Sequence, residues 1–275
     1  MTSGSETSAF SEFEHAGWQR LAGGYNTYFK QLVVQTIDPL LDAVRVGAGC
    51  RLLDLCCEPG YVADRARLRG AVPVGLDFSG EMIALARQCY PALEFQEGDA
   101  EGLPFPNGSF DAVVMNFGMH HLGRPEKAAK EAARVLCSGG KLAFTVWAAP
   151  SESIGHRIIL SAIETYGTLD LPLPKGPPMF RFSNPDECRR LFAEAGFVDG
   201  TARTLDLSWE IPLSCGLINA GRQGGVRLAM MLDAQTPRAL QRIEEAVSQA
   251  TRKYIRGASL HIPIAATLAS AGIAR

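Results

Sequence analysis

Four side chains able to bind a polar ligand stand in order along this chain, each at the end of an expected strand. Asp54 falls in LLDLCCEPG (residues 52–60) and Asp77 in VGLDFS. Asp99 falls in GDAEGLPF and Asn116 in VVMNFGMHHL. A carboxylate at the end of a buried strand can accept two hydrogen bonds from a ribose diol, and Asp77 is placed for that task. The segment after Asp54 enters a tight turn closed by Pro59 and Gly60, and a helical pattern starts at Tyr61. Such strand–turn–helix openings place backbone N–H groups close to a ligand and usually rely on several glycines. Here Cys56 and Glu58 stand where a GxGxG spacing would put two of them, and Gly60 is retained. The paired histidines His120 and His121 follow the same apolar run as Asn116. A histidine there can act as a general base near neutral pH, or pack as a structural residue.

These residues need strands to hold them. Segments 51–56, 71–77, 93–97, 110–116 and 141–147 are expected to form five strands. They alternate with helices over 61–69, 79–90 and 125–136, and turn signals lie between. Five strands with helical crossovers predict an α/β, Rossmann-like, mostly parallel sheet with helices on both faces. Ser138-Gly139-Gly140 is expected to turn into the fifth strand. Upstream, 18–44 reads as an N-terminal helical lid, and residues 1–15 read as a disordered lead-in. Downstream, helices are expected over 152–166, 184–196, 213–232 and 236–255, with strands over 201–211 and 260–271. A Pro-rich loop is expected over 171–178. The organisation expected is therefore a lid and ligand-binding core over 16–150, followed by cap segments and the last strands of the same sheet over 151–275.

Composition narrows the function. A net charge of −2 over 275 residues argues against a broad nucleic-acid surface. No apolar run is long enough for a membrane span. Seven cysteines, an odd number with no CxxC pair, disfavour a disulfide framework or a zinc site and fit reduced thiols in a cytoplasmic protein. No GxSxG motif is present, and no cluster has metal-ligand spacing. Bulky apolar residues in the cap (Met179, Phe180, Phe182, Trp209, Met230 and Met231) are either core or the lining of a pocket for an apolar or aromatic small molecule. His156 and His261 could face such a pocket. Arg181, Arg222 and Arg227 could meet an acidic substrate group or remain at the surface.

Taken together, LLDLCCEPGYVA, VGLDFSGEMIALAR, EFQEGDAEGLPFPNGSFDAVV, MHHL and EAARVLCSGGKLAFTVW resemble the class I S-adenosylmethionine-dependent methyltransferases. The small-molecule branch, which includes ubiquinone and menaquinone biosynthesis enzymes, is the most similar. The resemblance covers about residues 48–148. It implies S-adenosyl-L-methionine as cofactor. Asp54, Cys56, Glu58 and Gly60 would face its methionine part, and Asp77 would bind its ribose. Phe78 and Met82 would pack on its adenine, Asp99 and Ala100 would meet the adenine amine, and Asn116 and Phe117 would line the sulfonium end. His121 is implied in catalysis, with Tyr25 or Tyr28 of the lid orienting it or closing over the cofactor. Glu58 departs from the family pattern. It either pairs with the cofactor's ammonium or opposes its carboxylate. The activity implied is methyl transfer to a small metabolite by a protein that could be a homodimer. The alternatives are a relative that catalyses a cyclisation or elimination, or a non-catalytic binding protein.

Overall fold

The computed structural model describes residues 2–171 and 174–274. Helices α1 (Thr2–Tyr28), α2 (Lys30–Val33) and α3 (Ile37–Ala43) lead into the alternating core. The core comprises β1 (Arg51–Leu55), α4 (Tyr61–Leu68), β2 (Val72–Asp77), α5 (Gly80–Cys89), β3 (Glu94–Glu97), β4 (Phe110–Met115), α6 (Pro125–Val135) and β5 (Leu136–Trp147). Next come α7 (Ile154–Tyr166), α8 (Pro185–Glu194) and β6 (Val198–Pro212). The chain continues through α9 (Gly216–Gly224), α10 (Val226–Asp233), α11 (Pro237–Thr251), β7 (Ile255–Arg256) and β8 (Ser259–Gly272).

The sheet runs β3-β2-β1-β4-β5-β8-β6, with β7 paired to β8. β1 to β5 are mutually parallel, and β8 lies antiparallel to both β5 and β6. The order reverses at β1, which has β2 on one side and β4 on the other, so a crevice opens at the carboxyl ends of these strands. Side chains alternate across the pleat. Leu52 joins a core with α1 to α3 and the cap, whereas Leu53 and Leu55 join a second core with Phe144, Phe182 and Phe192 on the opposite face. Each fully buried leucine of this kind contributes roughly 2 kcal/mol.

Local chemistry sets the helix starts. The Ser79 hydroxyl accepts from the Met82 N–H at 3.3 Å, Asn184 accepts from the Asp186 N–H at 2.9 Å and Thr236 accepts from the Ala239 N–H at 3.3 Å. Pro125, Pro185 and Pro237 open α6, α8 and α11.

Three expectations need correction. The presumed disordered lead-in is part of α1, and Phe10 and Glu14 are buried. The helix expected over 213–232 divides into α9 and α10 at Gly224 and Gly225, where an extended backbone at Gly225 interrupts it. The turn expected at Ser138–Gly140 lies inside β5 as a bulge. There the pairing with β4 shifts register between Phe110 and Ala112, and Gly139 has φ 76°. Residues 172 and 173 of the Pro-rich loop lie outside the described residues, and 174–178 are irregular. Among the described residues no helix is long and apolar enough to cross a membrane.

Candidate active site

The turn after β1 keeps a glycine-type backbone without its glycines. Cys56, Glu58 and Gly60 have φ of 52°, 53° and 87°, so all three positions of the spacing are left-handed. A residue with a Cβ costs roughly 1–2 kcal/mol in that region, so Cys56 and Glu58 are held there by the surrounding structure. Gly60 tolerates no side chain, since a Cβ would lie 2.6 Å from the Phe95 ring. Asp54 is fully buried. Its Oδ2 accepts from the Ala63 N–H at 3.1 Å, tying the first turn of α4 to β1, and burial pushes its carboxyl well up.

Beside this turn is a cleft of about 540 Å³ including its open mouth. Cys56 and Glu58 form its floor, and Asp77, Phe78 and Met82 come from the end of β2 and the start of α5. Asp99 and Ala100 come from the loop after β3, and Phe117 from the loop after β4. Asp77 accepts from the Ser79 N–H at 2.9 Å and the Glu58 N–H at 3.1 Å, so its carboxylate braces the turn against α5. Burial pushes Asp77 up to about 6 despite those two bonds. Asp99 accepts from the Glu101 N–H at 2.8 Å through Oδ1.

A second cleft, of about 810 Å³ including its mouth, lies between the sheet, α1 and the cap. Its walls include Tyr25, Phe29, Trp147, Met179, Phe180, Trp209 and Met231. Trp18, Glu58, Phe117 and His121 line both clefts and so form the partition between them.

Helix α1 supplies one side of that partition. Glu14, Trp18 and Tyr25 recur at spacings of four and seven, and so share a face. The Tyr25 hydroxyl donates to Oε1 of Glu58 in a short hydrogen bond. Oε2 of Glu14 is 2.9 Å from Nδ1 of His121, and Oε1 of Glu14 accepts from Nε of Arg227 at 2.8 Å. Burial pushes the Glu14 carboxyl up, but His121 and Arg227 outweigh it and hold Glu14 below its ordinary value. An ionised Glu14 can only accept, which assigns the proton to Nδ1 of His121 and leaves the Nε2 lone pair available as a base. The Trp18 ring meets His121 edge to face at 4.9 Å. Gln19 accepts from the Ser79 hydroxyl at 2.7 Å and the Glu81 N–H at 3.0 Å, docking α1 onto the start of α5.

Residues 53–144 match the methyltransferase domain family. The match spans about a third of the chain. The chain is 35% identical over 131 residues to demethylmenaquinone methyltransferase of Renibacterium salmoninarum, covering 48% of this chain and 52% of that protein. It is 36% identical over 118 residues to the chloroplastic 2-phytyl-1,4-beta-naphthoquinone methyltransferase of Arabidopsis thaliana, covering 38% of this chain and 45% of that protein. The chain thus spans about half the length of these curated relatives. Its fold is similar to that of the YcgJ protein of Bacillus subtilis, with a TM-score of 0.56 at 18% identity, over 88% of this chain and 99% of that one.

Of the residues expected at the site, Cys56, Glu58, Asp77, Phe78, Met82, Asp99, Ala100, Phe117 and His121 gather at the first cleft, and Tyr25 of α1 reaches the second. Asp54, Gly60 and Asn116 line neither cleft. Asp54 and Gly60 shape the turn from behind. The Asn116 Oδ1 accepts from the Thr36 and Thr145 hydroxyls, each at 2.7 Å, and its Nδ2 donates to the Val33 carbonyl at 3.3 Å. That network fastens β4 to β5 and the segment after α2, and it leaves the amide with no face toward the cleft. Tyr28 lines neither cleft, and its carbonyl accepts from the Trp209 indole at 2.8 Å.

Of the two histidines, His120 is buried with neither ring nitrogen partnered, and burial pushes it well below its ordinary value. His156 faces the second cleft, pairs with the Ser153 hydroxyl at 2.7 Å, and is pushed down to about 4 by burial. His261 lines neither cleft. Phe182 and Met230 are not part of the second cleft, and Arg181 and Arg222 pair with carboxylates elsewhere. Arg227 lines the second cleft, but its guanidinium is already committed to Glu14 and to the carbonyls of Pro177 and His120. Trp18 and Trp147 line the clefts and Glu14 holds His121, and the sequence revealed none of the three. The signal available for Glu14 and Trp18 was the recurrence of Phe10, Glu14, Trp18 and Ala22 every four residues.

Proposed function

We propose that this chain transfers a methyl group from S-adenosylmethionine to a small apolar or aromatic acceptor. The observation that carries the reading is the shared partition: two clefts of different character meet at Trp18, Glu58, Phe117 and His121. The first cleft fits the donor. Asp77 and Asp99 offer carboxylate oxygens for ribose and adenine groups, and Phe78 and Met82 offer apolar faces for a base. The left-handed turn at Cys56, Glu58 and Gly60 keeps the backbone path of a nucleoside-binding loop. The second cleft is largely aromatic and thioether-lined, which suits an apolar acceptor. The names of the relatives specify demethylmenaquinone and 2-phytyl-1,4-naphthoquinone, and this supports the same character.

The bound donor supplies an electrophilic methyl carbon on sulfur. The protein's part is alignment and proton removal. Trp18 and Phe117 flank the partition and exclude water from the line of displacement. His121, with Nδ1 held by Glu14, takes the acceptor's proton at Nε2 as the acceptor's lone pair attacks. Glu14 stabilises the imidazolium that results. Calorimetric titration with S-adenosylmethionine and its demethylated product tests donor binding. Mass spectrometry of naphthoquinol-type acceptors then looks for a gain of one CH2 group. Absence of heat from either nucleoside at millimolar concentration would overturn the reading.

A further inference from the structure

Glu58 occupies a position for which methyl transfer alone gives no reason. Its side chain is the only carboxyl in the partition between the clefts, and the Tyr25 hydroxyl is its side-chain hydrogen-bond partner. Among the described residues no Lys, Arg or His is paired with it, and the groups that act on it are Tyr25, Asp54 and Asp77. A part-buried carboxyl without a basic partner is unfavourable as an anion, so desolvation pushes Glu58 well up, and a cation seated beside it is what draws it into the ionised form. Around it stand aromatic rings. Phe117 and Trp147 stack with centroids 3.9 Å apart, and Trp18 meets Tyr25 edge to face at 5.4 Å. Aromatic faces with one carboxyl form an environment that favours a cation and discriminates against its neutral isostere.

The partition is where a methyl group must sit to pass from one cleft to the other, and there the donor carries a sulfonium charge. After transfer the sulfur is a neutral thioether. The donor's ammonium and carboxylate are the same before and after. We propose that Glu58 is a specificity-determining residue that holds the cationic donor in preference to its neutral demethylated product, so that transfer itself weakens the grip on the spent nucleoside. This rests on the methyl-transfer reading above. A glycine at this position, as the GxGxG spacing has it, would present no such counter-charge.

The test is calorimetric measurement of Kd for S-adenosylmethionine and for S-adenosylhomocysteine with the full chain, with Glu58→Gln and with Glu58→Gly. Glutamine keeps the size of the side chain, and glycine suits the left-handed backbone, so at least one variant is expected to fold. The wild-type protein is expected to bind the sulfonium about tenfold more tightly than the thioether, and both variants to bind the two within about twofold. Equal affinities in the wild type would overturn the proposal. So would an equal loss for both ligands in the variants, which would instead mean that Glu58 holds the shared ammonium. Either result would leave methyl transfer standing. Failure of the wild type to bind either nucleoside would overturn the methyl-transfer reading and this inference with it.

Discussion

Nδ1 of His121 lies 2.9 Å from Oε2 of Glu14, although the two residues are 107 positions apart in the chain. Glu14 is fully buried, and its other oxygen holds Arg227 from α10. One carboxylate therefore fixes the imidazole, the lid helix and the cap together. Glu14→Gln keeps the shape but removes the counter-charge to a protonated His121. A fall in kcat of roughly 10²-fold with KM for the acceptor nearly unchanged is expected. Steady-state kinetics would refute the positioning role if KM rose and kcat held. Glu14→Ala also strands Arg227, with a stability loss of about 3–5 kcal/mol measurable by urea denaturation.

Asp77 has a pH signature. Its carboxyl is raised from 3.8 to about 6 by burial. The folded chain therefore holds that proton more tightly than the unfolded chain does. This contribution to stability is fullest below pH 3.8 and is lost as pH rises through about 6. At neutral pH the ionised group costs roughly 3 kcal/mol relative to its protonated form. Asp77→Asn carries no charge at any pH, so its Tm should gain on the wild type between about pH 4 and pH 7. The same variant should bind the nucleoside poorly. A Tm difference that does not change over that range would refute the assignment.

Gly60→Ala probes the turn. The added methyl would lie 2.6 Å from the Phe95 ring on a backbone with φ 87°. Overpacking and backbone strain together should destabilise the chain by about 2–4 kcal/mol. Thermal denaturation within about 0.5 kcal/mol of wild type would show that the loop relaxes freely.

Met231 lines the second cleft, proposed for the acceptor, and not the first. Met231→Ala should raise KM for an apolar acceptor by roughly tenfold, from about 1–2 kcal/mol of lost apolar contact. The Kd for the donor should stay unchanged. Parallel losses for both ligands would argue against two separate clefts.

The sheet was legible because β2, β4 and the second half of β5 are largely apolar runs, β1 ends in the apolar stretch around Asp54, and turn residues bound them all, the short β3 (Glu94–Glu97) included. Asp77, Phe78, Met82, Asp99 and Ala100 were legible for the same reason. What was hidden depended on contacts between distant parts of the chain. A charged residue at position 14 breaks an apolar stripe, and its burial is made tolerable by His121 and Arg227, 107 and 213 residues away. Asn116 looked like a ligand residue because of its place after β4, but the hydroxyls of Thr36 and Thr145 claim it. The split between α9 and α10 needed two glycines to be read as a break. The antiparallel insertion of β8 between β5 and β6 has no local signal, since strand order is a property of the assembled sheet.

Glu14, Trp18, Gln19 and Tyr25 all belong to α1, yet α1 contributes no strand and no crossover to the sheet. A chain trimmed to start at Lys30 would retain all eight strands while both clefts lost a side. Far-ultraviolet circular dichroism reports the content of helix and strand, not whether α1 has closed the clefts. A well-folded preparation is therefore no measure of an assembled site, and the helix ahead of the sheet has to be assayed in its own right.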